Sequence, residues 1–228
     1  REKRLTQMRT DFMNNMTHEL KTPVASISLA AQMLSDPSVV KSGEMSTRMC
    51  ETIKNESKRL VLLIDSVLET SVLEHRDGIA NPSPLDVHDI IQTARNSLLV
   101  KAENHKGEIR LSLEADEFIV MGDETHLTNV IFNLMDNAIK YASEGTTIKC
   151  TMTAQGKKLV IRCENTVDNP ELIEPERFFD RFYRSDDSRQ TESGYGMGLS
   201  IARSIVDAHS GIIEAKLKDN KLIIEVQL

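Results

Sequence analysis

From Leu5 to Leu34 the apolar residues recur only at intervals of three and four: Leu5, Met8, Phe12, Met16, Leu20, Val24, Ile27, Ala31 and Leu34. That spacing returns each of them to one side of a 3.6-residue helix, so the segment reads as a long amphipathic helix with a narrow apolar seam. The stretch "SDPSVVKSGE" interrupts it, after which Met45, Met49, Ile53, Leu60, Leu63 and Val67 resume the same period. Two long helices joined by a turn form an antiparallel hairpin. A hairpin cannot cover its own stripe, whereas two copies close into a four-helix bundle, so a homodimer is expected.

The segment "DGIANPSP", residues 77–84, gathers Asp-Gly, Asn-Pro and Ser-Pro in one place. Each residue before a proline is pushed out of the helical region, which makes this the linker between residues 1–76 and residues 85–228. Beyond it the pattern mixes helices (about Asp86 to His105, Glu124 to Ala142, and from Gly198) with short strands and hairpins. The predicted second domain is therefore a helix layer on a largely antiparallel sheet, an α/β sandwich. Residues 166–193 form an irregular stretch far longer than an ordinary connection, as a functional lid would.

The net charge of −7 and the scarcity of aromatics argue against a nucleic-acid surface. Cys50, Cys150 and Cys163 have neither the number nor the spacing of a disulfide framework or a zinc site, and read as reduced thiols. No apolar run reaches the roughly 18 residues needed to span a bilayer. The chain opens already in helical period without a cap, as if inside a longer protein.

"NNMTHELKTP" places His18 on the helix face opposite the seam, with Thr22 one turn away on the same face and Glu19 adjacent. A carboxylate that accepts one imidazole N–H fixes the tautomer and raises the basicity of the other nitrogen, a role Glu19 can take. Pro23 removes the bond to the carbonyl of Glu19, so a bend is expected beside His18. Zinc ligation of the H-E-x-x-H type is excluded because Thr22 stands where the second histidine belongs.

"HLTNVIFNLMDNAIKYA" carries Asn133, Asn137, Lys140 and Tyr141 down one helix flank. Amide oxygens can hold a hard cation and a lysine can meet a phosphate. In "SGYGMGLSIARSIV", Gly194, Gly196 and Gly198 lead directly into a helix whose free N–H groups can face an anion. Together with the lid-length stretch, they point to a phosphate site.

With these segments in place, the chain resembles the kinase core of two-component sensor histidine kinases over almost its full length. "FMNNMTHELKTPVASI" resembles the family's H box, "NLMDNAIKYA" its N box, "RFFDRFYR" its F box and "GYGMGLSIA" its G2 box. The resemblance implies a helical hairpin forming a dimeric four-helix bundle, then an ATP-binding domain of the gyrase, Hsp90, histidine kinase and MutL type. It further implies His18 as phosphoacceptor, Glu19 as acid/base partner and Thr22 as the residue orienting water in a reverse phosphatase reaction. Asn137 would hold Mg²⁺ on the triphosphate of ATP, with Asn133, Lys140, Tyr141, Gly194, Gly196, Gly198 and Leu199 around the nucleotide. Phe179, Arg181 and Arg184 fall in the lid. The implied partner is a response regulator whose aspartate receives the phosphoryl group. The implied setting is a cytoplasmic domain whose parent protein is anchored in the inner membrane by an upstream segment.

One box departs from the pattern. Where the family has D-x-G-x-G, residues 165–169 read "NTVDN". Asn165 replaces the aspartate that accepts the adenine amino group, and Val167 and Asn169 replace both glycines. A neutral amide accepts that bond without the strengthening of a negative charge, so ATP binding weaker than with the full box is expected. The alternative to an active kinase is a kinase-impaired, phosphatase-biased or scaffold member of the family.

Overall fold

Three helices begin by one device, an aspartate just ahead of the first turn whose carboxylate accepts an orphaned backbone N–H. Asp36 takes that of Ser38 (2.8 Å), Asp86 that of His88 (2.9 Å) and Asp123 that of His126 (3.0 Å). These caps fix where α2, α4 and α5 start in the computed structural model, which describes residues 2–74, 79, 82–114, 119–156, 158–183 and 196–228, with 2–12, 15, 62 and 65–74 as backbone. The chain divides into two compact units, residues 1–69 and 70–228.

The first unit contains α1 (Glu2–Leu34), the short α2 (Pro37–Lys41) and the body of α3 (Gly43–Glu74). The predicted turn thus carries a helix of its own, started by Asp36 and by Pro37 at the first helical position. Pro23, Ala30 and Leu63 are buried, while Val24 (49%), Leu29 (59%), Val61 (57%) and Ile64 (46%) are exposed. The buried edge therefore runs one residue to the side of the expected seam: Pro23 and Ala30 are covered where Val24 and Ala31 are not. α1 is continuous through Pro23.

The second unit runs β1 (Ser83–Asp86), α4 (Val87–Asn104), β2 (Glu108–Leu113), β3 (Ile119–Gly122), α5 (Glu124–Tyr141), β4 (Thr147–Gln155) and β5 (Lys158–Thr166). It ends with α6 (Gly198–Ala208), β6 (Ile212–Lys218) and β7 (Lys221–Gln227). Among the described residues, five strands form one sheet in the order β2-β4-β5-β7-β6. All its neighbours are antiparallel except β2 and β4, which are parallel because α5 lies in the connection between them. β1 and β3 form a separate antiparallel pair, with Pro84 opposite Met121. The first two residues of β1, Ser83 and Pro84, were expected in the linker because of the Asn-Pro and Ser-Pro steps, yet a short edge strand tolerates Pro84.

α4, α5 and α6 pack together, and each also packs against the sheet. Leu134, Met135 and Ile139 of α5 are buried with Ile91 of α4, Ile205 of α6, Ile148 and Met152 of β4, Ile161 of β5 and Leu222 and Ile224 of β7. The alternating strand residues 148, 150 and 152 reach this layer, as the two-residue period requires.

His209, just past α6, ties this layer to the start of α5. Its Nδ1 bonds the carbonyl of Ile205 at 2.8 Å, and its Nε2 accepts the backbone N–H of Asp123 at 3.4 Å. An imidazole that donates at one nitrogen and accepts at the other is neutral. Burial chiefly, and then the charge of His126, hold its pKa below the usual imidazole range despite the opposing bond to Ile205. The unfolded chain thus binds this proton more readily, so stability is intact above about pH 6.5 and is lost as pH falls through the lowered value. Melting temperature should drop between pH 7.5 and 5, and His209→Gln should flatten that drop. An identical slope in the two proteins would contradict the assignment.

Candidate functional site

α5 is long enough to bury one face in the core and still carry a polar flank. Asn133 Nδ2 donates to Asn129 Oδ1 at 2.6 Å. The backbone of Gly198 comes so close to Asn133 that a Cβ there would stand 2.5 Å from its Oδ1. Asn137, one turn on, has a buried amide nitrogen with no hydrogen-bond partner among the described residues, and the buried hydroxyl of Ser143 has none among them either. Buried polar atoms are almost always paired, so each of these marks a group that the described residues leave unsatisfied.

Between the asparagines lies Asp136, whose side chain is only 12% exposed. Lys140 Nζ meets its Oδ2 at 2.6 Å, and Lys101 of α4 bonds its Oδ1. Lys140 is therefore held at the edge of the stripe by a carboxylate. The ring of Tyr141 stacks on Phe178 at 5.4 Å, and Phe178 in turn meets Tyr183 at 6.0 Å. Arg177 lies 4.5 Å over the Tyr183 ring and pairs with Glu174 at 2.9 Å. Glu174 raises the Arg177 pKa, while burial and then Glu174 raise the phenol of Tyr183, which stays a neutral donor to Glu174.

Phe179, the aromatic assigned to the lid, is half-buried beneath the Arg203 guanidinium at 5.7 Å; the neighbour that reaches Tyr141 is Phe178. Arg181 is half-buried. Gly196 has φ +67, and its carbonyl accepts the N–H of Phe182 at 2.9 Å. A Cβ there would collide with the Tyr183 carbonyl and stand 2.7 Å from the Phe182 carbonyl carbon, so only glycine fits. α6 then starts at Gly198 with no side chain capping it, and Leu199 is buried. Among the described residues the first-turn N–H groups of α6 thus have no capping side chain. Arg184 and Gly194 lie outside the described residues.

Asn165 is 2% exposed at the end of β5, on the strand face shared with Ile161 and Cys163. Its amide reaches the Thr166 carbonyl only at 3.4 Å. Val167 is buried at 3%, and its N–H donates to the Asn220 carbonyl at 2.9 Å. Of the three departures from the box, Asn165 and Val167 are therefore packed, while Asn169 is exposed.

On α1, His18 and Thr22 are exposed and Glu19 is half-buried. The Thr22 hydroxyl donates to the His18 carbonyl at 3.4 Å. Among the described residues, Glu19 makes no hydrogen bond to the imidazole. The structure thus carries Asn133, Asn137, Lys140 and Tyr141 on α5 with Gly198 against Asn133, sets Gly196 against Phe182 and Tyr183, and carries His18, Glu19 and Thr22 on α1. Sequence reasoning missed Asn129, Asp136, Phe178 and Lys101. The first three stand in or beside the quoted segments, and Asp136 with Lys140 is a legible i,i+4 pair. Lys101 is brought in only by the packing of α4 on α5.

Two family models match the chain. The His Kinase A (phospho-acceptor) domain covers residues 8–76, and the histidine kinase-, DNA gyrase B- and HSP90-like ATPase covers residues 122–227. Sensor protein RprX of Bacteroides fragilis is 38% identical, with all of this chain and 45% of that protein aligned. Sensor-like histidine kinase SenX3 of Mycolicibacterium smegmatis is 32% identical, with 92% of this chain and 54% of that protein aligned. The chain spans about half the length of these relatives. The fold is also that of histidine kinase ThkA in its complex with response regulator TrrA: TM-score 0.70, 20% identity, covering all of this chain and 63% of that one. Acinetobacter baumannii histidine kinase AdeS matches with TM-score 0.67 and 18% identity, covering 92% of this chain and 96% of that one.

Proposed function

We propose, for a chain that belongs to the two-component sensor histidine kinases, that ATP bound along α5 phosphorylates His18 and that the phosphoryl group passes on to a response regulator aspartate. The observation that carries this is the α5 flank itself: a buried amide nitrogen without a partner among the described residues, a tethered lysine, and an uncapped helix start at Gly198, which stands against Asn133 of the same flank. These are complementary to a polyanion.

In this scheme the N–H groups at the start of α6 and the ammonium of Lys140 receive phosphate oxygens, and Asn133 and Tyr141 border the nucleotide. Arg181, with Arg184 in the lid, offsets charge on the transferred group, which is where most catalysis of such transfers resides. Asn137 would hold Mg²⁺, which when bound neutralises phosphate charge. The metal would take the amide oxygen, while the Nδ2, a donor without a partner among the described residues, would meet an acceptor such as a phosphate oxygen. His18 supports the acceptor role by standing exposed within the matched phospho-acceptor stretch. Its imidazole nitrogen attacks the γ-phosphorus as ADP leaves, and Glu19 takes up the imidazole proton. The stretch ahead of β1, of which residues 77, 78, 80 and 81 lie outside the described residues, serves as the linker that lets the nucleotide and His18 meet. Thr22 serves the reverse, phosphatase direction.

Exposed Val24, Val61 and Ile64 leave the hairpin with uncovered apolar surface, which a second copy would close into a bundle. The sensory and membrane-anchoring parts would belong to the remainder of a longer protein. A second reading rests on Asn165 and Val167: both are buried where the resemblance requires an aspartate and a glycine, which favours a member with impaired ATP turnover.

Incubation with γ-labelled ATP and Mg²⁺ separates the two readings. An active kinase acquires an acid-labile, base-stable label that is absent from His18→Gln, whereas no label in the wild type overturns the kinase in favour of the scaffold. Sedimentation should give a dimer at micromolar concentration, and a stable monomer would contradict the bundle.

A further inference from the structure

Lys101 lies on α4, thirty-five residues before Asp136 in the chain, yet it shares that carboxylate with Lys140. Resting on the proposed role of Lys140 as a phosphate contact, we propose that Lys101 is a positioning residue, which keeps Asp136 paired while Lys140 leaves it for the nucleotide.

The reason lies in the burial of the carboxylate. Asp136 is 12% exposed by side chain, against 39% for Lys101 and 30% for Lys140. A carboxylate so enclosed is costly to leave without a cation, because removing one partner of a buried pair strands the other charge. Were Lys140 its sole partner, every phosphate contact made by Lys140 would incur that penalty, and ATP affinity would fall accordingly.

The geometry avoids this. The two ammonium groups take different oxygens, Lys101 on Oδ1 and Lys140 on Oδ2, so release of one leaves the other bond intact. They also come from different elements. Lys140 stands one turn beyond Asp136 on α5, beside Asn133 and Asn137, within reach of a ligand on that flank. Lys101 is fixed from α4 by the neighbouring buried Leu98 and Ala102, which pack in the helix layer. Two cations on one anion leave one positive charge over, which favours an incoming phosphate. When a phosphate oxygen takes Lys140, the carboxylate and Lys101 remain as a neutral pair.

The test is calorimetric ATP affinity of the whole chain in a double-mutant cycle. Lys101→Met should weaken binding by roughly tenfold, the scale of one partly buried charge pair. The same change in a Lys140→Met background should have less than a twofold effect, because the group it would release is gone. Lys101→Arg, which keeps the cation, should retain near wild-type affinity, and Lys101→Gln should repeat the methionine pattern if Lys101→Met fails to fold. Equal losses in both backgrounds would mean that Lys101 touches the nucleotide or acts by charge alone, and would overturn the proposal. So would an unchanged affinity in Lys101→Met. Absence of any ATP binding by the wild type would instead overturn the nucleotide reading on which the relay rests.

Discussion

The site depends on polar groups that α5 buries without completing. Among the described residues the amide nitrogen of Asn137 has no partner, the hydroxyl of Ser143 has none, and α6 starts against Asn133 without a side-chain cap. A buried donor left alone costs about 1–3 kcal/mol, and a helix start without acceptors adds to it. A protein keeps such a deficit only where something else supplies the missing acceptors. The surrounding features share that logic: Gly198 lets α6 approach Asn133, Gly196 turns the chain against Phe182 and Tyr183, and Tyr141 and Phe178 close the far end with stacked rings. The core behind α5, with Leu134, Met135 and Ile139 fully buried, holds the deficit in place.

The hairpin poses the opposite problem, too much apolar surface for the elements that carry it. α1 and α3 bury Pro23, Ala30 and Leu63 but leave Val24, Leu29, Val61 and Ile64 in solvent. His18 shares that helix yet presents its ring outward, and Thr22 spends its hydroxyl on the His18 carbonyl. Pro23 removes the N–H that would have reached Glu19, so this turn of α1 is held less firmly than its neighbours by the helix ladder.

Much of this was legible in the sequence because it is local. Periods of three and four located α1 and α3, the Asn-Pro and Ser-Pro steps marked the change of pattern, and the stripe Asn133, Asn137, Lys140, Tyr141 followed from helical spacing alone. What escaped was set by partners distant in the chain. Lys101 meets Asp136 only because α4 packs on α5, and Phe178 rather than Phe179 reaches Tyr141 because of how the two short 3₁₀ turns, Pro170–Leu172 and Pro175–Arg177, deliver the segment. β1 was hidden by its proline, and the displaced seam on α1 by the choice between two adjacent apolar residues, Pro23 and Val24. The substituted box was visible as letters, yet only the structure reveals that Asn165 and Val167 are packed at 2% and 3% exposure.

A nucleotide bound as proposed would complete the α5 flank by giving the Asn137 Nδ2 a phosphate acceptor, with Mg²⁺ on the amide oxygen. Thermal unfolding with and without a non-hydrolysable ATP analogue and Mg²⁺ tests this directly, since a ligand that binds the folded state alone raises the melting temperature in proportion to the logarithm of its excess over Kd. The account predicts a concentration-dependent rise in the wild type that is lost in Asn137→Ala. No rise in the wild type, or the same rise in both proteins, would contradict it.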